Sequence, residues 1–151
     1  MKKLALTTVL VLATACGSSS GSSVPTLSSE DNGGAFQLGF DWRQEAGPYR
    51  SQPVVTAAGG AREIVVDAHL SASSPCHKLT ADARSNDGRT VELEVRILSD
   101  APVCAASIGN FGYTARMRGL APGTYTVRVR HLYPGTGWPS GTVLETPVTV
   151  R

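Results

Sequence analysis

The chain has 151 residues, 41% of them hydrophobic and 17% charged, with 14 basic and 12 acidic side chains. Two of the lysines, Lys2 and Lys3, open an apolar N-terminal segment, and setting them aside leaves 12 basic against 12 acidic residues, so nothing remains that argues for nucleic acid. The remainder of the chain has the length of a single domain with one core.

The opening reads MKKLALTTVLVLATAC, with an uncharged, mostly apolar run from Leu4 to Ala15. As a helix this run reaches about 18 Å, short of the roughly 30 Å of bilayer hydrocarbon, so residues 1–15 read as the core of a signal peptide and not as a membrane span. The small residues Ala13, Thr14 and Ala15 before Cys16 resemble the lipobox of bacterial lipoproteins, although Leu12 stands one place early. The resemblance implies that Cys16 becomes the first mature residue and carries the lipid, palmitate included. Several acyl chains would then hold the protein persistently on a membrane, outside the cytoplasm. Gly17 in place of an Asp favours the outer membrane where the organism has one. An ordinary cut near Ala15, releasing a soluble secreted protein, is the alternative. Residues 16–34 are Ser- and Gly-rich with almost no apolar content, a composition that behaves as a flexible tether.

From Ala35 to Arg151 the apolar pattern has period two, as half-buried strands require. Phe36, Leu38, Phe40 and Trp42 share one face, and Ile64, Val66, Ala68 and Leu70 another. Leu79, Ala81 and Ala83 come third, then Val91, Leu93, Val95 and Ile97, then Tyr113, Ala115 and Met117. Tyr125, Val127 and Val129 come next, and Val148 and Val150 last. No window fits a useful helix. Strands are expected over residues 36–43, 53–57, 62–71, 77–84, 89–98, 111–118, 123–132 and 142–150, the second being the weakest. Asn86-Asp87-Gly88 reads as a hairpin turn. Leu120-Ala121-Pro122-Gly123-Thr124-Tyr125 is similar to a turn-and-strand found in many bacterial immunoglobulin-like and prealbumin-like sandwich domains. Seven or eight short strands so spaced predict an all-β fold, an antiparallel immunoglobulin-like β-sandwich spanning residues 35–151.

If each strand reverses direction, every long connection falls at one pole and every tight turn at the other. Cys76 and Cys104 then reach the same long-loop pole, where an oxidising compartment would join them as the one intramolecular disulfide left once Cys16 is lipidated. A loop of about 28 residues closed in this way contributes about 3–4 kcal/mol. The tether would enter at the tight-turn pole.

Chemistry is sparse. Glu92 and Glu94 stand about 6.6 Å apart along one strand, a spacing that suits acid–base pairs, but they alternate with an apolar row and read as a solvated outer face. His69, His77 and His131 have no ligand-like spacing and read as surface or edge histidines, so no metal, cofactor or catalytic residue is expected. Trp42, Tyr49, Phe111, Tyr133 and Trp138 converge on the long-loop pole with Arg43 and Arg50 among them, residue types that dominate recognition surfaces. They form the candidate binding loops; the alternative is that they fold inward and cap the core. The functional expectation is a non-catalytic binding module, lipid-anchored at the bacterial cell envelope, whose partner is an unidentified envelope or extracellular protein or polymer. A structural or assembly accessory without a ligand site is the alternative, and a hydrolase the third.

Overall fold

The computed structural model describes residues 27–28, 36–99, 103–104 and 107–151. The expected signal peptide, Cys16 and nearly all of the tether lie outside the described residues. Nine strands succeed one another: β1 (Leu27–Ser28), β2 (Gln37–Glu45), β3 (Val54–Gly59), β4 (Glu63–Ala72), β5 (His77–Ser85), β6 (Thr90–Ser99), β7 (Gly109–Arg118), β8 (Gly123–Leu132) and β9 (Gly141–Val150). All eight expected strands are present, including the weak one at β3. The two-residue β1, inside the stretch expected as tether, pairs with the start of β2, Leu27 opposite Leu38.

The strands form two sheets, β1-β2-β7-β4-β3 and β5-β6-β8-β9, stacked as a β-sandwich. Register aligns the alternating rows across each sheet. Leu38, Met117 and Ile64 lie side by side, as do Phe40, Ala115 and Val66. The second sheet presents Leu79, Ile97, Leu93, Val127 and Val129 to them, and these side chains close one core. One pairing departs from the antiparallel rule: β6 and β8 run parallel. The cause is the alternation itself. β7, which lies between them in sequence, belongs to the other sheet, so β6 and β8 point the same way and can pair only in parallel.

Reversal of every strand also fixes the poles. Cys76 and Cys104 form a disulfide with a Cα–Cα distance of 6.0 Å at the long-loop pole. At the opposite pole two of the three tight turns and the end of β9 interlock through backbone bonds, Gly119 N–H and Leu120 N–H donating to the Arg62 carbonyl and Arg62 N–H to the Arg151 carbonyl. β2 begins here, since Gln37 pairs with Arg118.

The outer face of the second sheet is a ladder of charges. Arg84, Glu92, Arg128 and Glu145 are successive cross-strand neighbours of alternating sign. Arg84 reaches Glu92 at 2.8 Å, Arg128 reaches Glu145 at 3.0 Å, and Arg96 bonds Glu94. Glu92 and Glu94 do lie on the outer face, but the solvated setting expected for them is wrong: Glu92 is 7% exposed, because the guanidinium groups of Arg84 and Arg130 cover it. Burial works to raise the Glu92 pKa, yet the bond and charge of Arg84, with Asn86 and Arg130, outweigh it and hold the carboxyl below its usual range.

At the edge where β3 meets β9 the sheets touch backbone to backbone. A methyl group on Gly59 would lie 1.9 Å from the Thr149 carbonyl oxygen. Gly59→Ala must therefore spread the two strands, at a cost of about 1–3 kcal/mol or more. Gly39→Ala is the control, because its added methyl meets only the Arg116 carbonyl oxygen at 3.9 Å. In urea titrations Gly59→Ala should lower the midpoint with the slope unchanged, while Gly39→Ala leaves the midpoint near wild type; equal midpoints for the two variants would contradict the close approach.

Candidate functional site

The β8–β9 connection, Tyr133 to Ser140, is a built loop. The Tyr133 carbonyl accepts from Thr136 N–H at 3.3 Å and from the Thr136 hydroxyl at 2.9 Å, and that hydroxyl accepts from Trp138 N–H at 3.1 Å. Ser140 Oγ accepts from Tyr133 N–H at 2.9 Å and closes the base. Gly135 and Gly137 both sit at φ 73°, where a side chain would be strained. The loop thus holds Trp138 in one place.

The β2–β3 connection is fixed from below. Ser71 and Asn110 are cross-strand partners, both buried, with the Ser71 hydroxyl donating to Asn110 Oδ1 at 2.6 Å. Asn110 Nδ2 donates to the Gly47 carbonyl at 2.6 Å, and Arg50 N–H donates to Ser71 Oγ at 2.9 Å. Between the two connections runs a groove of about 470 Å³ walled by Tyr49, Arg50 and Pro53 on one side and Trp138, Pro139 and Thr142 on the other. Arg50 is the single charged residue lining it, and its buried Nη1 has no hydrogen-bond partner among the described residues.

All five candidate aromatics sit at this pole, in two groups. Tyr49 meets Trp138 edge-on at 6.2 Å, Trp138 tilts against Tyr133 at 5.8 Å, and the series continues inward through His131 and Tyr113 to Phe40. Tyr49 is 57% exposed and Trp138 half-buried, while Tyr133 turns into the core at 9%. The second group is Trp42, 38% exposed, 6.1 Å from the fully buried Phe111, and neither lines the groove. Tyr49 and Trp138 therefore form the open walls of the groove, Tyr133 lines it from the hydrophobic cluster beneath, and Phe111 belongs to the cluster alone.

Two of the three histidines are buried, against the surface or edge setting expected of all three. His69 does lie on the outer face of the first sheet, 2.8 Å from Glu45. That bond leads the charges of His69, Arg43 and Arg50 in lowering the Glu45 pKa, against the opposing pull of burial. His77 is buried with Nε2 3.1 Å from the Ser73 hydroxyl. His131 is wholly buried, because it continues the inward row of Tyr125, Val127 and Val129. Its Nε2 lies 2.8 Å from the Tyr113 hydroxyl, and its Nδ1 has no partner among the described residues. Burial pushes His131 down to about 4 and Tyr133 up to about 12, and burial together with Tyr133 raises Tyr113. The His131–Tyr113 pair is sealed in the core and does not line the groove, so it supports packing and not proton transfer to a substrate. Among the described residues no three His, Cys, Asp or Glu side chains gather to hold a metal ion.

Sequence reasoning placed Arg50 among the aromatics but missed Ser71, Asn110, Pro53 and Pro139. Ser71 and Asn110 occupy the loop-pole ends of β4 and β7; a polar residue that remains buried where a strand runs under a loop is the signal that marks them.

Compared with known proteins, the chain is similar over residues 66–143, from within β4 to the start of β9, to a family model described as the ORF11 beta-sandwich domain. No curated protein and no solved structure matches it.

Proposed function

We propose that this chain, which belongs to the ORF11 beta-sandwich domain family, is a lipid-anchored, non-catalytic binding module of the bacterial cell envelope, tethered through Cys16 and presenting its long-loop pole to an envelope or extracellular protein or polymer. The observation that carries the reading is the groove itself, a concave strip with the exposed face of Tyr49 and the fixed ring of Trp138 on its walls and one cation, Arg50, between them. Rigid aromatics with an arginine are the side chains from which binding hot spots are built, and loops on a rigid scaffold are where such sites form. Entry of the chain at the tight-turn pole would leave the groove on the side away from a membrane.

A second reading, a structural accessory with no ligand, draws on the inward packing of Phe111 and Tyr133. One experiment separates the two. Partners recovered from envelope extract are compared for wild type and Tyr49→Ala/Trp138→Ala, with melting curves first establishing that the variant is folded and Trp42→Ala as control. The binding module predicts recovery reduced on the order of tenfold or more in the double variant and unchanged in the control; identical recovery in all three rejects the groove. Cys16→Ser should move the protein to the soluble fraction, and unchanged membrane attachment would reject the anchor while leaving the groove standing.

A further inference from the structure

At the opposite pole, three turns that are distant in sequence surround a cleft of about 270 Å³ lined by Arg62, Ser85, Gly88, Arg89, Gly119 and Tyr125 among others. No acidic residue lines it. Neither guanidinium, Arg62 nor Arg89, has a hydrogen-bond or ion-pair partner among the described residues, in a protein whose other arginines mostly pair with carboxylates. The nearby carboxylates are otherwise engaged. Asp87 accepts from the N–H groups of Arg89 and Thr90 and from the Thr90 hydroxyl, and Glu63 faces Arg118 at 3.6 Å.

The two cations are also positioned. The Arg89 guanidinium carbon stands 5.7 Å from the centre of the Tyr125 ring, and the Tyr125 hydroxyl donates to the Ala121 carbonyl, which fixes the ring. Nη1 of Arg89 occupies the space beside Gly123, 2.1 Å from where a Cβ would be. Arg62 has φ 58°, the only non-glycine residue with positive φ among those described, in a left-handed slot that glycine fills at less cost. Its backbone is locked on both sides by the bonds to Gly119, Leu120 and Arg151. On the same cleft the Ser85 hydroxyl is buried with no hydrogen-bond partner among the described residues. An orphaned hydroxyl and two guanidinium groups without carboxylate partners, one of them held against an aromatic ring, around one cleft want an acceptor with several oxygens. A carboxylate offers two oxygens in one plane, which one arginine satisfies alone; a tetrahedral phosphate has oxygens for both arginines and the serine.

We infer that the cleft between Arg62, Arg89 and Ser85 is a binding site for a phosphate group. Two sources share this chemistry, a phospholipid headgroup at the membrane and a soluble phosphate ester. The site is separate from the aromatic groove and does not depend on it.

The test uses the full-length chain. Inorganic phosphate is titrated while the amide resonances of Gly88 and Gly119 are monitored, in wild type, Arg62→Gln, Arg89→Gln and, as control, Arg116→Gln on the outer face of the first sheet. In parallel, flotation is compared between vesicles of phosphatidylcholine and an equal mixture with phosphatidylglycerol, so that any N-terminal apolar attachment is common to both. The expected result is saturable phosphate binding that Arg62→Gln and Arg89→Gln each weaken on the order of tenfold and Arg116→Gln leaves unchanged. A preference for the phosphatidylglycerol mixture that disappears in Arg62→Gln and Arg89→Gln assigns the site to a headgroup; phosphate binding without that preference assigns it to a soluble ester. Wild type showing neither phosphate binding nor vesicle preference overturns the inference, and so does any binding that Arg62→Gln and Arg89→Gln retain in full. The wild-type titration decides the matter even if one of these variants fails to fold.

Discussion

Folding stability is expected to fall by about 2 kcal/mol as the pH drops from about 6.5 to about 5, and by about 3 kcal/mol near pH 4, through His131 alone. The imidazole is fully buried between the sheets, and its pKa drops from 6.5 in the open chain to about 4 in the fold. Below pH 6.5 the unfolded chain therefore takes up a proton that the folded chain refuses. The contribution is complete above the unfolded value and is lost as the pH falls toward the folded one, at about 1.4 kcal/mol per unit. Glu45, Asp87, Glu92 and Glu145 also have lowered values, so their contributions are lost only below the ordinary carboxylate values of 4.5 or 3.8, and the upper part of the window is free of them. His131→Phe isolates the effect. It keeps a ring against Tyr113 and Tyr133 but leaves the Tyr113 hydroxyl without its partner, a loss of about 1–3 kcal/mol near neutral pH that does not change with acidity. Wild type and His131→Phe should therefore converge in urea stability as the pH falls. Tyr113→Phe/His131→Phe, which removes both polar groups, should start near wild type and exceed it by about pH 5. Parallel wild-type and His131→Phe curves would contradict the burial of a neutral imidazole.

The same histidine shows where the sequence could be read and where it could not. The odd-numbered row of β8 runs inward from Tyr125 through Val127 and Val129, and simple alternation carries it on to His131 and Tyr133. Residue type argued for the surface and position for the core, and position prevailed because the Tyr113 hydroxyl supplied a partner across the sandwich. Alternation likewise located all eight main strands and, with chain reversal, the two poles, since both depend only on period and connection length. It says nothing about which strand lies beside which. The parallel pairing of β6 with β8, and the row Arg84, Glu92, Arg128, Glu145 that this pairing creates, arise from lateral order. The groove was half legible: five aromatics at one pole follow from topology, but the inward turn of Tyr133 and the outward turn of Tyr49 depend on loop hydrogen bonds made by Ser140, Thr136, Ser71 and Asn110. The Arg62–Arg89 cleft was not legible, because three short turns far apart in sequence each contribute one wall.

Cys76→Ala/Cys104→Ala is expected to cost about 3–4 kcal/mol and to lower the melting temperature by about 10–20 °C, without altering the groove. At the long-loop pole the chain crosses between sheets twice, from β4 to β5 and from β6 to β7. Cys76 lies on the first crossing and Cys104 on the second, so the disulfide ties the two crossings to each other. The crossings are also packed directly. A methyl group on Gly109 would lie 2.5 Å from the Ser74 carbonyl oxygen and 2.6 Å from Pro75 Cα. Those contacts survive loss of the bond, so what is lost is the restriction that the bond places on the unfolded chain over a separation of 28 residues. The variant should therefore remain folded and cooperative, keep the strand-proton signature of a sandwich in its nuclear magnetic resonance spectrum, and bind through Tyr49 and Trp138 as wild type does. Because neither cysteine residue of a disulfide titrates, the loss should also be the same at about pH 7 and about pH 5, in contrast to the His131 variants. A variant that is unfolded at room temperature would show that the bond determines the path between the sheets; a cost below about 1 kcal/mol would show that the crossings are already held as tightly without it.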